Sequence, residues 1–423
     1  MAAMMNRRML AHAAPRRAGG LVRLELATLL SGIGNGVALV ALPWLILERT
    51  GSASAAGVIG GAAALPMFVS SVFSGTLVDA VGRRRMAMAS DALSCVAVAL
   101  IPLLDLVGGL NVGTLVVLAM LGAAFDPAGV TARETMLPAA AQRAGWTLDR
   151  ANGVHEAVWG VAFLVGPGIG GVLIAALGAV DTLLVTAGGF ACSVVLLATL
   201  RLPGAGRPAA HERPASLWHG TVEGLRFLWR EPLLRTMGAL TTLVLALYLP
   251  IEAVILPYYF EGQGQPERLG LLVMAMSAGG VLGALGYGAI GGRLPRRLVF
   301  VCALAGTGVT ILGLALLPPF WAMLACAFGV GLLYGPVGPL LNYAMQTRTP
   351  ERLRGRVMGT ITSFGYAAGS LGFLVIGPLV EGVGLQPTFI GLAVALLLAT
   401  LAAIPARSLR LLDRSASTTA RAT

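Results

Sequence analysis

The chain has 423 residues, of which 57% are hydrophobic and only 12% are charged. Soluble domains carry about 25% charged residues, so the composition excludes an ordinary soluble protein and predicts a polytopic membrane protein. The formal net charge of +11 comes from arginine alone, because the sequence contains no lysine. The four cysteines lie in apolar runs without metal-ligand spacing, so we expect free thiols and no metal site.

Twelve apolar runs are long enough for a membrane-spanning helix, which needs about 20 residues. They fall at 24–47, 54–78, 87–107, 112–137, 151–177, 180–200, 236–260, 268–291, 298–318, 320–346, 357–380 and 386–406. Strands of a membrane barrel would be about half as long and would alternate in polarity. The predicted fold class is therefore an all-α polytopic membrane protein.

Arginines mark one side of the membrane. Twelve spans place 28 of the 30 arginines on the side of both termini, all except Arg49 and Arg268. Arg133 is counted among the 28, as a residue near the end of span 4. Because arginine-rich loops stay in the cytoplasm, both termini are predicted to be cytoplasmic. This distribution explains the basic charge without a nucleic-acid partner.

The longest internal polar stretch divides the chain near its middle. Its first part has linker composition, and its second part predicts an amphipathic helix on the inner leaflet. The apolar face of that helix comprises Leu217, Val222, Leu225, Phe227 and Leu228. The predicted plan is a basic N-terminus (1–23), a six-helix bundle (24–200), this linker (201–235), a second bundle (236–406) and a tail (407–423).

An internal repeat favours two halves of common design. The stretch GTLVDAVGRRRMA at 75–87 returns in altered form as GAIGGRLPRRLVF at 288–300, an offset of 213. Gly166-Pro167 returns at 377–378, an offset of 211. Transporters built from two repeats commonly bind their substrate between the halves, near the middle of the bilayer.

Two motifs resemble signatures of the major facilitator superfamily. The first is similar to GxLaDrxGrkxxl and comprises Gly75, Leu77, Asp79, Gly82, Arg83 and Arg84, the last in place of lysine. The second resembles the antiporter pattern of span 5 and comprises Gly153, Gly166, Pro167, Gly170 and Gly171, with Ala162 replacing one glycine. Segments 137–154, 223–235 and 349–359 resemble the branch that contains macrolide-efflux and enterobactin-exporter proteins.

The resemblance implies the major facilitator fold, two pseudo-symmetric six-helix bundles that rock about a central cavity. It also implies that Asp79 and Arg83 form a cytoplasmic latch, a contact that holds the halves together while the cavity opens outward. A local salt bridge that only fixes the loop is the alternative. The altered copy has Gly292 in place of the aspartate, so the latch is expected in the first half only. The kinked, glycine-rich span 5 would seal the halves.

Ionisable side chains inside spans are costly in a bilayer and are therefore functional candidates. Those without an obvious local partner are Asp126, Glu156 and Glu252. A carboxyl group in a low-dielectric medium favours its protonated form, which makes these three candidate proton carriers. Pairing with an arginine from elsewhere is the alternative for each. Asp91 is expected to pair with the arginines at 83–85, and His155 is expected to be structural.

In the superfamily, spans 1, 4, 7 and 10 line the substrate cavity. The resemblance therefore implies a set of cavity residues, namely Asn35, Asp126, Tyr248, Glu252, Tyr334 and Asn342. A cavity with few charges and several aromatic rings suits an amphipathic small molecule, and a cationic one is among the candidates. Related proteins often have an acidic residue in span 1 where this chain has Asn35, which cannot carry a proton.

These observations predict a monomeric secondary transporter in a bacterial inner membrane, a proton antiporter that exports a drug-like or natural-product molecule. The sequence has no phosphate-binding loop and no catalytic motif, so we expect no enzyme and no cofactor, with the proton gradient as energy source. An uptake permease of the same superfamily is one alternative, which the span 5 motif disfavours. A non-transporting receptor or scaffold is another, which the retained Asp79–Arg83 motif disfavours.

Overall fold

The computed structural model describes residues 18–202, 217–290 and 293–413, so most of the N-terminus, the first part of the linker, Gly292 and most of the tail lie outside it. Twelve helices in the described residues are long and apolar enough to cross a membrane. The predicted all-α fold class and the number of spans are therefore confirmed.

The spans are numbered in chain order. Spans 1 to 6 comprise Gly19–Thr50, Ala53–Val81, Arg83–Leu106, Val112–Ala123 with Asp126–Ala144, Leu148–Leu177 and Ala179–Ala198. Spans 7 to 12 comprise Pro232–Pro250 with Ile251–Ile255 and Leu256–Glu261, Pro266–Ile290, Arg296–Ala315, Phe320–Tyr334 with Val337–Arg348, Glu351–Val383 and Leu385–Ala403. A short 3-10 helix, Arg407–Leu412, follows span 12.

The main helix contacts fall within each half of the chain and between the two halves. In the first half, span 1 packs against spans 5 and 6, and span 3 packs against span 6; in the second, span 10 packs against spans 8 and 9. Between the halves, span 2 packs against span 11 and span 5 packs against span 8. We call the face where span 1 begins and span 12 ends the terminal face, and the opposite face the far face. The residue boundaries of the two bundles stay a prediction.

One glycine joins spans 2 and 3 at the terminal face. Gly82 is buried, ends span 2 and begins span 3, and has a φ of +100°. Residues with a Cβ rarely adopt this conformation, so the one-residue turn requires glycine. Arg84 then donates a hydrogen bond of 2.8 Å from Nη1 to the carbonyl of Leu200, just beyond the end of span 6.

Spans 4, 7 and 10 are interrupted near their middles. Span 4 breaks just before Asp126, and span 10 breaks at Gly335–Pro336. Span 7 contains the π-helical turn Ile251–Ile255, which follows Pro250 and includes Glu252. Proline lacks the N–H that an α-helix needs, and π-helical turns insert a residue into the ladder, so both devices redirect side chains inside a span.

The second part of the linker forms a helix, Leu217–Arg230, which packs against span 11. Its Gly224 lies against the backbone of Arg356, and its Glu223 pairs with the Arg356 guanidinium. Leu225, predicted for the apolar face, is 39% exposed. The helix therefore docks on the second half of the chain, and its position on the inner leaflet stays a prediction.

Candidate substrate cavity

A cavity of about 1560 Å³ lies between the two halves of the chain. Its lining extends from Pro43 and Ala56, near the far face, to Asp79 and Arg356, near the terminal face. At the far face the start of span 2 packs directly against the end of span 11. The cavity is thus closed at the far face and extends to the terminal face.

Carboxylates dominate the charged lining of this cavity. Among the described residues, the charged side chains in the lining are Asp79, Asp126, Glu134, Glu156 and Arg356. The one arginine is already paired with Glu223 of the linker helix. Aromatic rings accompany the carboxylates, and Trp159 stacks on Phe163 with ring centroids 5.6 Å apart. The cavity therefore offers negative charge and aromatic surface together.

Asp126 lies at the break in span 4, where the second helix of that span begins. The hydroxyls of Ser90 and Ser94 on span 3 each lie 3.4 Å from its Oδ1. No arginine of the described residues lies within ion-pair distance of its carboxylate. Asp126 is thus held by neutral donors only, which leaves the carboxylate available to a cation or a proton.

Glu134 is a cavity residue that the sequence analysis does not single out. Its neighbour Arg133 resembles an arginine at the membrane boundary, so the sequence indicates that span 4 ends close to it. Yet Asp126, Val130 and Glu134 are spaced i, i+4, i+8 and all line the cavity. That helical spacing from Asp126 is the signal that could have identified Glu134.

Asp91 corrects the sequence analysis, because its partner is Arg133 and not the arginines at 83–85. Arg133 Nη2 lies 2.5 Å from both carboxylate oxygens of Asp91, and each side chain is only 2% exposed. Ser31 and Ser193 donate further hydrogen bonds to Asp91, at 2.8 and 2.6 Å. Arg133 is therefore a buried residue inside span 4. The Asp91 carboxylate on span 3 joins spans 1, 4 and 6 through these contacts.

His155 contacts Glu25 of span 1, a contact that the sequence does not reveal. The Nδ1 atom of His155 lies 3.1 Å from Glu25 Oε2, and Trp159 Nε1 lies 3.3 Å from His155 Nε2. Because Trp159 Nε1 can only donate, we assign the ring proton to Nδ1, which donates to Glu25. This chain of contacts orients Trp159, whose ring lines the cavity.

The motif at 75–87 lies at the terminal end of span 2. Asp79 is half-buried and lines the cavity, and no hydrogen bond or ion pair joins it to a described residue. Gly75 also lines the cavity, with no atom near the position of a Cβ, while Leu77 packs against the core. Arg83 is half-buried. The latch of Asp79 and Arg83 stays a prediction.

The glycines of span 5 pack against two other spans. Gly166 and Gly170 contact span 1, and a Cβ added to Gly171 would lie 2.6 Å from the Pro266 carbonyl oxygen and 3.0 Å from Gly270 Cα. Pro167 lies inside the helix, as the motif predicts. Around Gly153, by contrast, no atom lies within 4 Å of the added Cβ. The sealing role of this motif stays a prediction.

Two of the six cavity candidates, Asn35 and Asp126, line this cavity. Of the three proton-carrier candidates, Asp126 and Glu156 line it. The other four candidates, Tyr248, Glu252, Tyr334 and Asn342, lie outside its lining. The rings of the two tyrosines stack on each other, nearly parallel and 6.2 Å apart, which joins spans 7 and 10. Glu252 lies one helical turn after Tyr248, in the π-helical turn of span 7.

Twelve spans around a central cavity that is closed at one face define a polytopic membrane transporter. The family model of the Major Facilitator Superfamily matches residues 24–264 and 252–422. The chain is 47% identical over 398 residues to the multidrug efflux pump Tap of Mycolicibacterium fortuitum, which covers 93% of this chain and 97% of that protein. This chain belongs to the major facilitator superfamily.

More distant comparisons agree with this assignment. The enterobactin exporter EntS of Salmonella choleraesuis is 26% identical over 363 residues, which is 84% of each chain. The crystal structure of the nucleoside transporter NupG superposes with a TM-score of 0.72 at 12% identity and covers 90% of this chain and 98% of NupG. The predicted resemblance to the superfamily and to the enterobactin-exporter branch is therefore confirmed. The prediction that the chain is a transporter and not an enzyme is confirmed as well.

Proposed function

We propose that this chain exports amphipathic, drug-like molecules by alternating access, in exchange for protons. The observation that carries the proposal is the cavity of about 1560 Å³ between the halves, lined by carboxylates and aromatic rings. Its relatives at 47–48% identity are named multidrug efflux pumps, which supports the same direction of transport here.

The direction of transport depends on which face is cytoplasmic. The arginine distribution favours a cytoplasmic terminal face, because arginine-rich loops are retained there. A cavity that extends to the terminal face would then load from the cytoplasm or from the inner leaflet. Rocking of the two halves would close that face and open the far face, which releases the substrate outside.

The charge of the lining favours cationic substrates. Asp126, Glu134 and Glu156 attract a positive charge, and the rings of Trp159 and Phe163 offer faces for a cation–π contact. Cation and proton would compete for the same carboxylates. Such competition is sufficient for exchange, because a proton that binds from the far side displaces the cation.

A drug-susceptibility panel in an efflux-deficient host tests the proposal. We expect expression of the chain to raise tolerance to lipophilic cations, and a proton uncoupler to abolish the gain. The Asp126→Asn variant at equal membrane abundance serves as the matched control. Unchanged tolerance for every compound would contradict export, and uptake of radiolabelled compound that rises with expression would indicate an uptake permease instead.

The location and the oligomeric state need separate measurements. We propose a plasma-membrane protein with both termini in the cytoplasm that acts as a monomer. Reporter fusions at residue 413 and at Gly108 should report opposite sides of the membrane. Mass photometry of the purified protein in nanodiscs should give one copy per disc, and a dimer mass would contradict the monomer.

A further inference from the structure

A carboxylate from span 11 caps the start of span 2 at the far face. Glu381 Oε1 accepts hydrogen bonds from Ser52 Oγ at 2.7 Å and from the Ser54 backbone N–H at 2.9 Å. Its Oε2 accepts from Ser54 Oγ at 2.5 Å. Ser52 is the N-cap of span 2 and also accepts from the Ala55 N–H at 3.0 Å. Glu381 thus completes the cap of a helix that belongs to the other half of the chain.

The chemistry of this contact stabilises the association of spans 2 and 11 at the far face. Hydrogen bonds to an ionised carboxylate are roughly twice as strong as neutral ones, and a negative charge is stabilising at a helix N-terminus. The same region is closely packed, since a Cβ added to Gly377 would lie 2.6 Å from the Ala53 carbonyl oxygen. Opening the far face requires both the hydrogen bonds and this packing to break.

At the terminal end of spans 2 and 11, the corresponding carboxylate is not engaged with a described residue. Span 2 has Asp79 near the terminal face, beside the cavity, and no hydrogen bond or ion pair joins it to a described residue. Glu381 and Asp79 therefore lie at opposite ends of the contact between spans 2 and 11, one engaged and one not. In the internal repeat, Glu381 corresponds to Gly170 and Asp79 to Gly292, so the contact between spans 5 and 8 has neither carboxylate.

We propose that Glu381 is the far-face latch of this transporter. Its carboxylate holds spans 11 and 2 together while the cavity is open at the terminal face, and it leaves Ser52 and Ser54 when the halves rock. This inference rests on the alternating-access function proposed above. In this proposal the Glu381 carboxylate adds to glycine packing in the contact between spans 2 and 11, whereas glycine packing holds the contact between spans 5 and 8.

Distance measurements between spin labels test the latch. Labels at Val107 and Leu316, which are 77% and 60% exposed at the ends of spans 3 and 9, report the width of the far face in a variant without the four native cysteines. We expect Glu381→Ala to raise the ratio of molecules open at the far face to molecules closed there about tenfold, because the variant removes all three hydrogen bonds of this exposed carboxylate to span 2. Ser54→Ala should give a smaller shift in the same direction.

The matched control is Asp105→Asn. Asp105 pairs with Arg49 at 2.8 Å on the same face, but both residues belong to the first half. This variant should leave the distance distribution unchanged. Equal distributions for Glu381→Ala and the parent, in protein with the parent's thermal unfolding midpoint, would overturn the latch. The measurement needs neither drug nor proton gradient, so a shifted distribution without drug tolerance would support the latch and contradict export.

Discussion

Arg133 of span 4 and Asp91 of span 3 form an ion pair from which water is excluded, with both side chains only 2% exposed. The serines of spans 1 and 6 that donate to Asp91 complete its hydrogen bonding. One charged pair thus organises the packing of spans 1, 3, 4 and 6. The cavity carboxylate Asp126 lies on the same span as Arg133, two helical turns away.

The Asp91→Ala variant should be strongly destabilised. It leaves the buried Arg133 without a counter-charge, which costs about 3–5 kcal/mol. Thermal unfolding of the purified protein in detergent measures the effect. The control is Asp105→Ala, which removes an exposed pair with Arg49 and should cost less than about 1 kcal/mol. Similar losses in the two variants would mean that burial of the Asp91 pair contributes nothing.

Asp126→Asn should separate transport from its energy source. The amide keeps the shape of the side chain but cannot take up a proton, so we expect loss of proton-driven accumulation in inverted vesicles. Exchange of labelled for unlabelled drug across the same vesicles should persist. Glu252→Gln is the comparison variant, and loss of accumulation in that variant alone would assign the proton to span 7.

Glu134→Gln and Glu156→Gln should weaken the selection of cations. Each removes one negative charge from the cavity lining, so KM for a monovalent cationic drug should rise about tenfold in the double variant. KM for a neutral compound of similar size should stay the same. An equal rise for both compounds would point to a general distortion of the cavity.

Gly171→Ala should impair closure of the far face. The added methyl group has no room beside Pro266 and Gly270, so spans 5 and 8 would be held apart there. We expect loss of drug tolerance at normal membrane abundance. Gly153→Ala is the control within the same motif, because that position is open in this conformation. Tolerance retained in Gly171→Ala would argue against a seal between these spans.

Asp79→Asn should lower transport at least about tenfold without loss of the protein from the membrane. The neutral side chain would no longer hold the terminal face closed while the far face is open, so the cycle would stall. Initial rates in vesicles measure the effect, with Arg85→Gln as the control for an exposed charge in the same motif. A normal rate in Asp79→Asn would leave only a local role for the aspartate.

Much of the fold was predictable because the bilayer imposes a simple rule on composition. Twelve apolar runs and a one-sided arginine distribution are long-range signals that survive errors of a few residues. The sequence identified Gly82 as a residue of the motif, but it did not show that Gly82 forms a one-residue turn with a positive φ. Hydropathy does not show which face of each helix points toward the interior of the protein. The side chains on that face determine the lining of the cavity.

Arg133 illustrates that limit. An arginine near the end of an apolar run resembles a boundary residue, and only the fold reveals that it meets Asp91 inside the protein. Tyr248 and Tyr334 show the converse, because both lie on spans that line the cavity in the superfamily, yet their rings stack on each other. Glu381, close to the end of its span, also resembles a residue at the membrane boundary in the sequence. Only the fold reveals that it accepts hydrogen bonds from Ser52 and Ser54 of the other half.

Ala162 departs from the glycine pattern of span 5, and its neighbour explains the departure. Gly32 of span 1 faces it so closely that a Cβ on Gly32 would lie 2.7 Å from the Ala162 methyl group. The helix pair therefore has room for one methyl group at this point, and Ala162 supplies it. A motif read along span 5 alone counts Ala162 as a missing glycine, although the glycine that this close approach requires is present on span 1 as Gly32.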